Sequence, residues 1–209
     1  MTLEETLSQV FAAEGITPEH QKEILAYLTV LKQRDEKTYE HSIRVALKTV
    51  EIVKQAHMPG ITPRMMLWAG LLHDIGKTLI PPELLKKTGG FTEADYQGME
   101  PHVEYGWKML QACHDYTAHI IVRHHQFGPK PYPSVLPDLP GYLKDKRGMI
   151  DTAARLLSLA DYYDAIATRQ NNKFGKPLTP EEKKAQYEKD NADRAELVLQ
   201  LEIAGILRF

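Results

Sequence analysis

Apolar residues recur three and four positions apart along most of the chain, which is the spacing of an amphipathic α-helix. Strands would require alternating apolar and polar residues, and no alternation of useful length occurs. The pattern therefore predicts an all-α fold. The predicted helices cover residues 3–13 and 18–33, a segment with Ile43, Ala46, Leu47, Val50 and Val53 that ends at Pro59-Gly60, and then 62–74, 92–113, 115–125, 149–168 and 179–209.

Residues 127–148 interrupt this pattern. Prolines stand at positions 129, 131, 133, 137 and 140, with glycines at 128, 141 and 148. Long irregular segments inside compact domains usually act as lids or binding loops. We therefore expect this segment to border a functional site, the alternative being a surface insertion without a role.

Length, charge and cysteine content narrow the class of protein. The 209 residues suffice for one well-filled core, and a net charge of −2 gives no basic field for long nucleic acid. The single cysteine excludes a disulfide framework and a cysteine zinc site. The acidic start does not resemble a signal peptide, and no apolar run has the roughly 20 residues that cross a bilayer. A cytoplasmic protein without a membrane partner is expected.

The chain has nine histidines, and several of them fall on apolar helical faces. Four of the polar residues on such faces have an apolar residue four positions away, namely His73, His124, His125 and Asp161, and His102 shares its face with Gly106 and Met109. A single inward histidine is usually a satisfied core residue, but several such groups from separate segments can satisfy one another only by converging. Imidazoles with carboxylates suit iron, manganese, nickel, cobalt or zinc.

The adjacent pair His73-Asp74 favours a site that holds two metal ions. Neighbouring side chains on a helix diverge by about 100°. The two residues are therefore well placed to serve two metal ions, or to let the aspartate bridge them. Pairs of ions about 3.5–4 Å apart are a recurrent device for hydrolysing phosphate esters.

The order His41, His73-Asp74 and Asp161, with HDIGK at 73–77, resembles the HD superfamily of metal-dependent phosphohydrolases. His102, His124-His125 and the stretch LADYYDAIATRQNNKFGKPLTPEE at 159–182 make the chain similar to the HD-GYP branch. The resemblance covers roughly residues 38–182. It implies an HD-domain helical bundle around a binuclear metal site.

The resemblance also implies roles for individual residues. One metal would be held by His41, His73, Asp74 and Asp161, and Asp74 would bridge to a second metal held by His102, His124 and His125. The metals would be two divalent transition-metal ions, with iron or manganese favoured over nickel, cobalt or zinc. Asp74 and Lys77 would be catalytic, with Lys77 next to the substrate phosphate, and Arg169 would contact a phosphate as well. Asp164 also matches a family position, which a buried cap or salt bridge explains equally well.

The chain departs from the HD-GYP pattern after His124-His125, where Gln126 replaces a glutamate. The end of the branch motif is represented either by Tyr132-Pro133 or by Gly141-Tyr142-Leu143. Tyr132 and Tyr142 are accordingly candidates for stacking on a substrate base. Lys37 occupies the position of a glutamate that binds a third metal in some members, so two metals are expected. His20, His57, His114 and His119 match no position and are interpreted as surface or structural residues.

These observations favour a phosphodiesterase that acts on a nucleotide or a cyclic dinucleotide through a metal-bridging hydroxide. The alternatives are a nucleotide phosphomonoesterase, an HD-type diiron oxygenase and a degenerate binding module, the last disfavoured because every expected ligand is present. The expected partner is a small phosphorylated substrate. We expect a helical pair at 1–36 that packs on the core, a catalytic domain at 37–182, and a C-terminal helix at 183–209 within the same globule.

Overall fold

The computed structural model describes residues 1–87, 89–168 and 177–209. These ranges contain helices and no β-strand, which confirms the all-α prediction. None of their helices combines the length and apolarity needed to span a bilayer. The α-helices are α1 (Leu3–Ala13), α2 (Pro18–Arg34), α3 (Glu36–Ala56), α4 (Pro63–Leu72), α5 (Pro82–Leu85), α6 (Glu93–Met99), α7 (His102–Leu110), α8 (Asp115–Ile121), α9 (Arg147–Thr168), α10 (Pro180–Asp190) and α11 (Ala195–Ile203). In the same described ranges, 3₁₀ helices cover Ile75–Leu79, Gly141–Lys146 and Ala192–Arg194.

Helix starts follow the local sequence. Thr17 and Thr62 each accept a hydrogen bond from a backbone N–H of the first turn, and each is followed by a proline at the first helical position. Proline is suited to that position because the N–H that it lacks has no partner there. The starts of α2 and α4 agree with the sequence prediction.

Helix α3 lies at the centre of the packing. It contacts α4 and α9 most extensively, and α1 and α2 pack on it as well. Gly70 of α4 lies against the backbone of Ala46 in α3. A Cβ at residue 70 would lie only 2.5 Å from the Ala46 Cα, which is too close for any side chain. The missing side chain lets α3 and α4 approach closely, and this approach fixes the end of α4 relative to the middle of α3.

Four predicted helices are wrong in their extent. The helix predicted over 115–125 ends at Ile121, so His124 and His125 follow it. The helix predicted over 92–113 is broken between Met99 and His102, where Pro101 precedes the first residue of α7. The helix predicted from 179 to the terminus is interrupted at Asn191. The helix predicted to reach residue 74 ends at Leu72 and continues as the 3₁₀ helix Ile75–Leu79. As a result, His73, His102, His124 and Asn191 lie at or just after the ends of helices and not in the middle of a helix face.

Candidate metal centre

Five segments of the fold bring histidines and aspartates to one place. His41 comes from the first half of α3, His73 and Asp74 follow α4, and His102 begins α7. His124 and His125 follow α8, and Asp161 lies in α9. Ligand-type atoms lie within 4.8 Å of one another in each of three triads, which are His41–His73–Asp74, His73–His124–Asp161 and His102–His124–His125. The seven residues predicted to bind metal therefore form one continuous cluster.

Backbone carbonyls orient three of these histidines. The Nδ1 atoms of His73 and His102 lie 2.8 and 2.7 Å from the carbonyl oxygens of Gly70 and Met99, and Nδ1 of His124 bonds the carbonyl of Ile121 in the same way. A carbonyl oxygen only accepts, so Nδ1 carries the proton and Nε2 keeps its lone pair. Each donor reaches the carbonyl three residues earlier, so the local backbone turn sets the ring orientation.

The opposite ring nitrogens point into the cluster. Nε2 of His73, His102 and His124 is buried and has no hydrogen-bond partner among the residues that the structure describes. The same holds for Oδ1 of Asp74. Buried polar atoms are normally paired, and unpaired ones indicate a missing ion or water. Three inward lone pairs beside a carboxylate oxygen are a donor set that fits a divalent transition metal.

Asp74 lies between the two halves of the cluster. Its Oδ2 is 3.4 Å from His73 Nε2 and 3.8 Å from His41 Nε2, whereas its Oδ1 is 3.3 Å from His102 Nε2. Lys77 Nζ lies 2.6 Å from Oδ2. Burial raises the pKa of this carboxyl, but its interactions with His73 and Lys77 outweigh burial and hold the pKa well below its usual value. The ionised carboxylate therefore faces one set of histidines with each oxygen.

His41 is held from both sides by carboxylates. Its Nδ1 lies 2.7 Å from Asp164 Oδ2, and its Nε2 lies 3.0 Å from Asp161 Oδ1. Arg44 donates from Nε to Asp164 Oδ1 at 2.8 Å, which fixes that carboxylate. Burial lowers the pKa of His41, but the bonds to Asp161 and Asp164 outweigh burial and raise it to about 9. A cation bound at Nε2 would take the place of this ring proton.

The other half of the cluster is neutral. Burial lowers the pKa of His102 to about 3 and that of His124 to about 4, and it lowers the pKa of His125 well below its usual value. Neutral imidazole is the form that binds metals. At neutral pH these three histidines therefore need not lose a proton before they bind a metal, whereas His41 must.

A cavity of about 720 Å³ opens on the cluster. The ring of Tyr132 is stacked on that of His125 with 4.5 Å between their centroids, and both side chains line the cavity. Tyr142, the second predicted stacking residue, does not line this cavity in the described part of the chain. It is 68% exposed and donates its hydroxyl to Asp115 instead. Arg169 lies outside the described residues.

Several residues of the site were missed or undervalued in the sequence interpretation. Asp164 stands three residues after Asp161 on the same side of α9, and this spacing could have indicated its contact with His41. Arg155 stands six residues before Asp161 and also lines the cavity. Asp190 and Asn191 line it too, although they lie after residue 182, where the resemblance to the HD-GYP branch ends. Nothing in the local pattern marked these last two.

Comparison with known proteins shows what this chain is similar to. The family model of the HD domain matches residues 38–166. A cyclic di-GMP phosphodiesterase of Pseudomonas aeruginosa is 32% identical over 72% of this chain and 35% of its own length. A cyclic di-GMP phosphodiesterase of Thermotoga maritima is 29% identical over 75% of this chain and 42% of its own. A 3'3'-cGAMP-specific phosphodiesterase of Vibrio cholerae is 29% identical over 74% of this chain and 29% of its own. The chain thus spans less than half the length of each of these relatives.

Proposed function

The chain belongs to the HD domain family, and on that basis we propose that it is a metal-dependent phosphodiesterase that hydrolyses a cyclic dinucleotide. One observation carries the proposal: the Nε2 atoms of three buried histidines, which have no hydrogen-bond partner in the described part of the chain, converge with Asp74 beside a cavity. The relatives named above are cyclic di-GMP or 3'3'-cGAMP phosphodiesterases, which favours a diester over a monoester and hydrolysis over oxygen chemistry.

We propose two divalent transition-metal ions, iron or manganese, at two positions that share Asp74. The first position comprises His41, His73, Asp74 and Asp161, and the second comprises Asp74, His102, His124 and His125. The separate approach of the two Asp74 oxygens to His73 and to His102 supports this division. Such ions, when bound, supply Lewis acidity toward phosphate oxygens and lower the pKa of water.

The side chains prepare the site for an anionic substrate. Lys77 keeps its positive charge, because the attraction of Asp74 outweighs burial and raises its pKa. Its ammonium lines the cavity, so it can neutralise charge that develops on a phosphate oxygen during attack. The Tyr132 ring, backed by His125, offers a flat surface on which a nucleobase can stack.

The proposal is tested with purified protein that is stripped by chelation and reloaded with manganese or iron. Metal content is measured by mass spectrometry, and hydrolysis of cyclic di-GMP, 3'3'-cGAMP, a linear dinucleotide and a nucleoside monophosphate is followed by chromatography. We expect close to two ions per chain and cleavage of at least one cyclic dinucleotide. Asp74→Asn should remove most of the metal and lower kcat by at least about 100-fold.

The matched control is His57→Asn. His57 is an exposed histidine outside the cluster with a φ of +47°, a backbone conformation that asparagine tolerates well. This variant should keep both metal and activity. A protein that binds no metal after reloading, or that cleaves only the monoester, would contradict the proposal.

A further inference from the structure

The wall of the cavity contains a carboxylate that the metal cluster does not use. Asp161 and Asp190 are the acidic residues that line the cavity in the described part of the chain, and Asp161 belongs to the metal cluster. Asp190 is the last residue of α10 and lies beyond the range that the family model matches. Its side chain therefore needs an explanation of its own.

Neighbouring side chains hold Asp190 in place by one oxygen. The Tyr162 hydroxyl donates to Oδ2 at 2.5 Å, and Gln186 Nε2 donates to the same oxygen at 2.6 Å. Oδ1 accepts no hydrogen bond from any residue that the structure describes. Because Tyr162 follows Asp161 directly, its ring extends from the metal side of the cavity to Asp190. The carboxylate is thus positioned while one oxygen remains available.

A buried arginine braces the segment behind Asp190. Arg155 is only 2% exposed, and it donates to Asn191 Oδ1 at 3.0 Å and to Asp193 Oδ1 at 2.6 Å. Its guanidinium lies 5.3 Å from the centre of the Phe127 ring. These contacts tie the segment after α10 to α9 and to the start of the 127–148 loop. Because Asp193 neutralises Arg155, this arginine is not free to bind a phosphate.

We propose that Asp190 recognises the base of the substrate and selects guanine, an inference that rests on the proposed phosphodiesterase function. A carboxylate only accepts hydrogen bonds and repels phosphate, so its partner must be a part of the substrate that donates. Guanine presents N1–H and an amino group side by side on its Watson–Crick edge, whereas adenine presents an acceptor beside its amino group. The carboxylate matches the first edge and opposes the second.

The test compares metal-loaded wild type with Asp190→Asn, which keeps the shape and can still accept from Tyr162. The substrates are cyclic di-GMP, cyclic di-AMP and cyclic di-inosine monophosphate, which lacks only the two amino groups of cyclic di-GMP. For wild type we expect kcat/KM to be at least about tenfold higher for the guanine compound than for the inosine compound. Asp190→Asn should reduce that ratio to near one and raise the relative rate for cyclic di-AMP, with metal content unchanged.

Glu188→Gln is the matched control, since it removes a carboxylate from the same helix at an exposed position that does not line the cavity. Its ratios should equal those of wild type. Equal losses of Asp190→Asn on all three substrates would indicate a structural role and overturn the inference, as would an unchanged ratio.

Equilibrium binding separates this inference from the proposed function. Calorimetry with GMP, IMP and AMP reports base recognition even if no diester is cleaved. A preference for GMP over IMP that Asp190→Asn abolishes would support the inference independently of hydrolysis. Absence of that preference in wild type would overturn it, whether or not the protein is a phosphodiesterase.

Discussion

Asp164 shows how a residue that is not itself a proposed ligand can determine the geometry of one. It bonds Nδ1 of His41 at 2.7 Å and is itself held by Arg44. Burial raises the pKa of this carboxyl, but the bonds to His41 and Arg44 lower it below its usual value. The ionised carboxylate keeps the His41 ring turned so that Nε2 faces Asp161 and the cavity.

We predict that Asp164→Ala weakens metal binding at the position that includes His41. Loss of a carboxylate that orients a histidine ligand typically lowers metal affinity by about 10–100-fold. Competition with a chromophoric chelator measures the affinity of the reloaded protein for manganese. Tighter or unchanged binding would show that His41 does not need Asp164 for its orientation.

Arg44→Gln is the control for this prediction. It removes a partner of Asp164 but leaves the bond between Asp164 and His41. Because Arg44 is partly exposed, water can replace its hydrogen bonds. Metal affinity should therefore fall much less than in Asp164→Ala.

At the scale of elements, one close crossing positions His102. Helix α7 packs on the 3₁₀ helix Ile75–Leu79, and a Cβ at Gly76 would lie 1.9 Å from the carbonyl oxygen of His102 and 2.5 Å from the backbone N of Gly106. Only glycine permits this approach. The start of α7 is thereby placed next to Asp74, which precedes the same 3₁₀ helix.

Gly76→Ala should consequently displace α7 and move His102 away from Asp74. We expect about one metal ion per chain instead of two, together with a loss of about 1–3 kcal/mol in the free energy of unfolding. Metal analysis and urea unfolding provide the two measurements. Retention of both ions at wild-type affinity would be incompatible with this explanation of the glycine.

Gly106→Ala is the matched substitution in the same crossing. A Cβ there would lie 3.1 Å from Cδ1 of Ile121, a flexible side-chain end, and 3.5 Å from the backbone N of Gly76. A small shift of Ile121 can accommodate the methyl group. Metal content should remain at the wild-type value.

The sequence predicted which elements exist better than where they end. The periodic apolar positions correctly predicted α1, α2, α3 and α9, because each of those helices buries one face against the core. The break before α7 was missed because a proline can begin a helix as well as interrupt one, and periodicity continues across Pro101. Tertiary contacts decided that ambiguity, since α7 must turn to pack on the 3₁₀ helix Ile75–Leu79.

The site shows a similar division. The seven proposed ligands could be found because they occupy apolar faces and a recognisable order of motifs. Asp190 and Arg155 could not be found, because their positions in the cavity depend on how α10 folds back on α9. Tyr132 and Tyr142 looked equivalent in the sequence, and only the course of the loop separates the ring stacked on His125 from the exposed one.

At the scale of the whole molecule, the hydrophobic core includes elements from both ends of the chain. Leu7 and Phe11 of α1, Ile24 of α2, and Val198 and Leu201 of α11 belong to the same buried cluster as α3 and α4. The described elements should therefore unfold together in one transition. A change that destabilises the metal centre should then lower the free energy of global unfolding.

Acid should destabilise the metal-free protein in a defined pH window. In the unfolded chain, histidines take up protons below about pH 6.5, whereas burial lowers the folded pKa of His124 to about 4 and that of His102 to about 3. Between these limits the unfolded state binds more protons, so stability falls as the pH falls. His41 has the opposite shift, to about 9, so its contribution is fully present below about pH 6.5 and is lost as the pH rises through about 9.

We predict that urea unfolding of the chelated protein shows a loss on the order of 1–2 kcal/mol for each of these two buried histidines between pH 7 and pH 5. His124→Gln, which cannot be protonated, should lose one histidine's share of this dependence. Bound metal favours the neutral imidazoles and adds stability wherever it remains bound, so the reloaded protein should be more stable than the chelated one at pH 7. Two outcomes would contradict the neutral state of the buried histidines in the folded protein. One is a chelated protein that is equally stable at pH 5 and pH 7, and the other is a His124→Gln variant whose free energy of unfolding depends on pH as in the wild type.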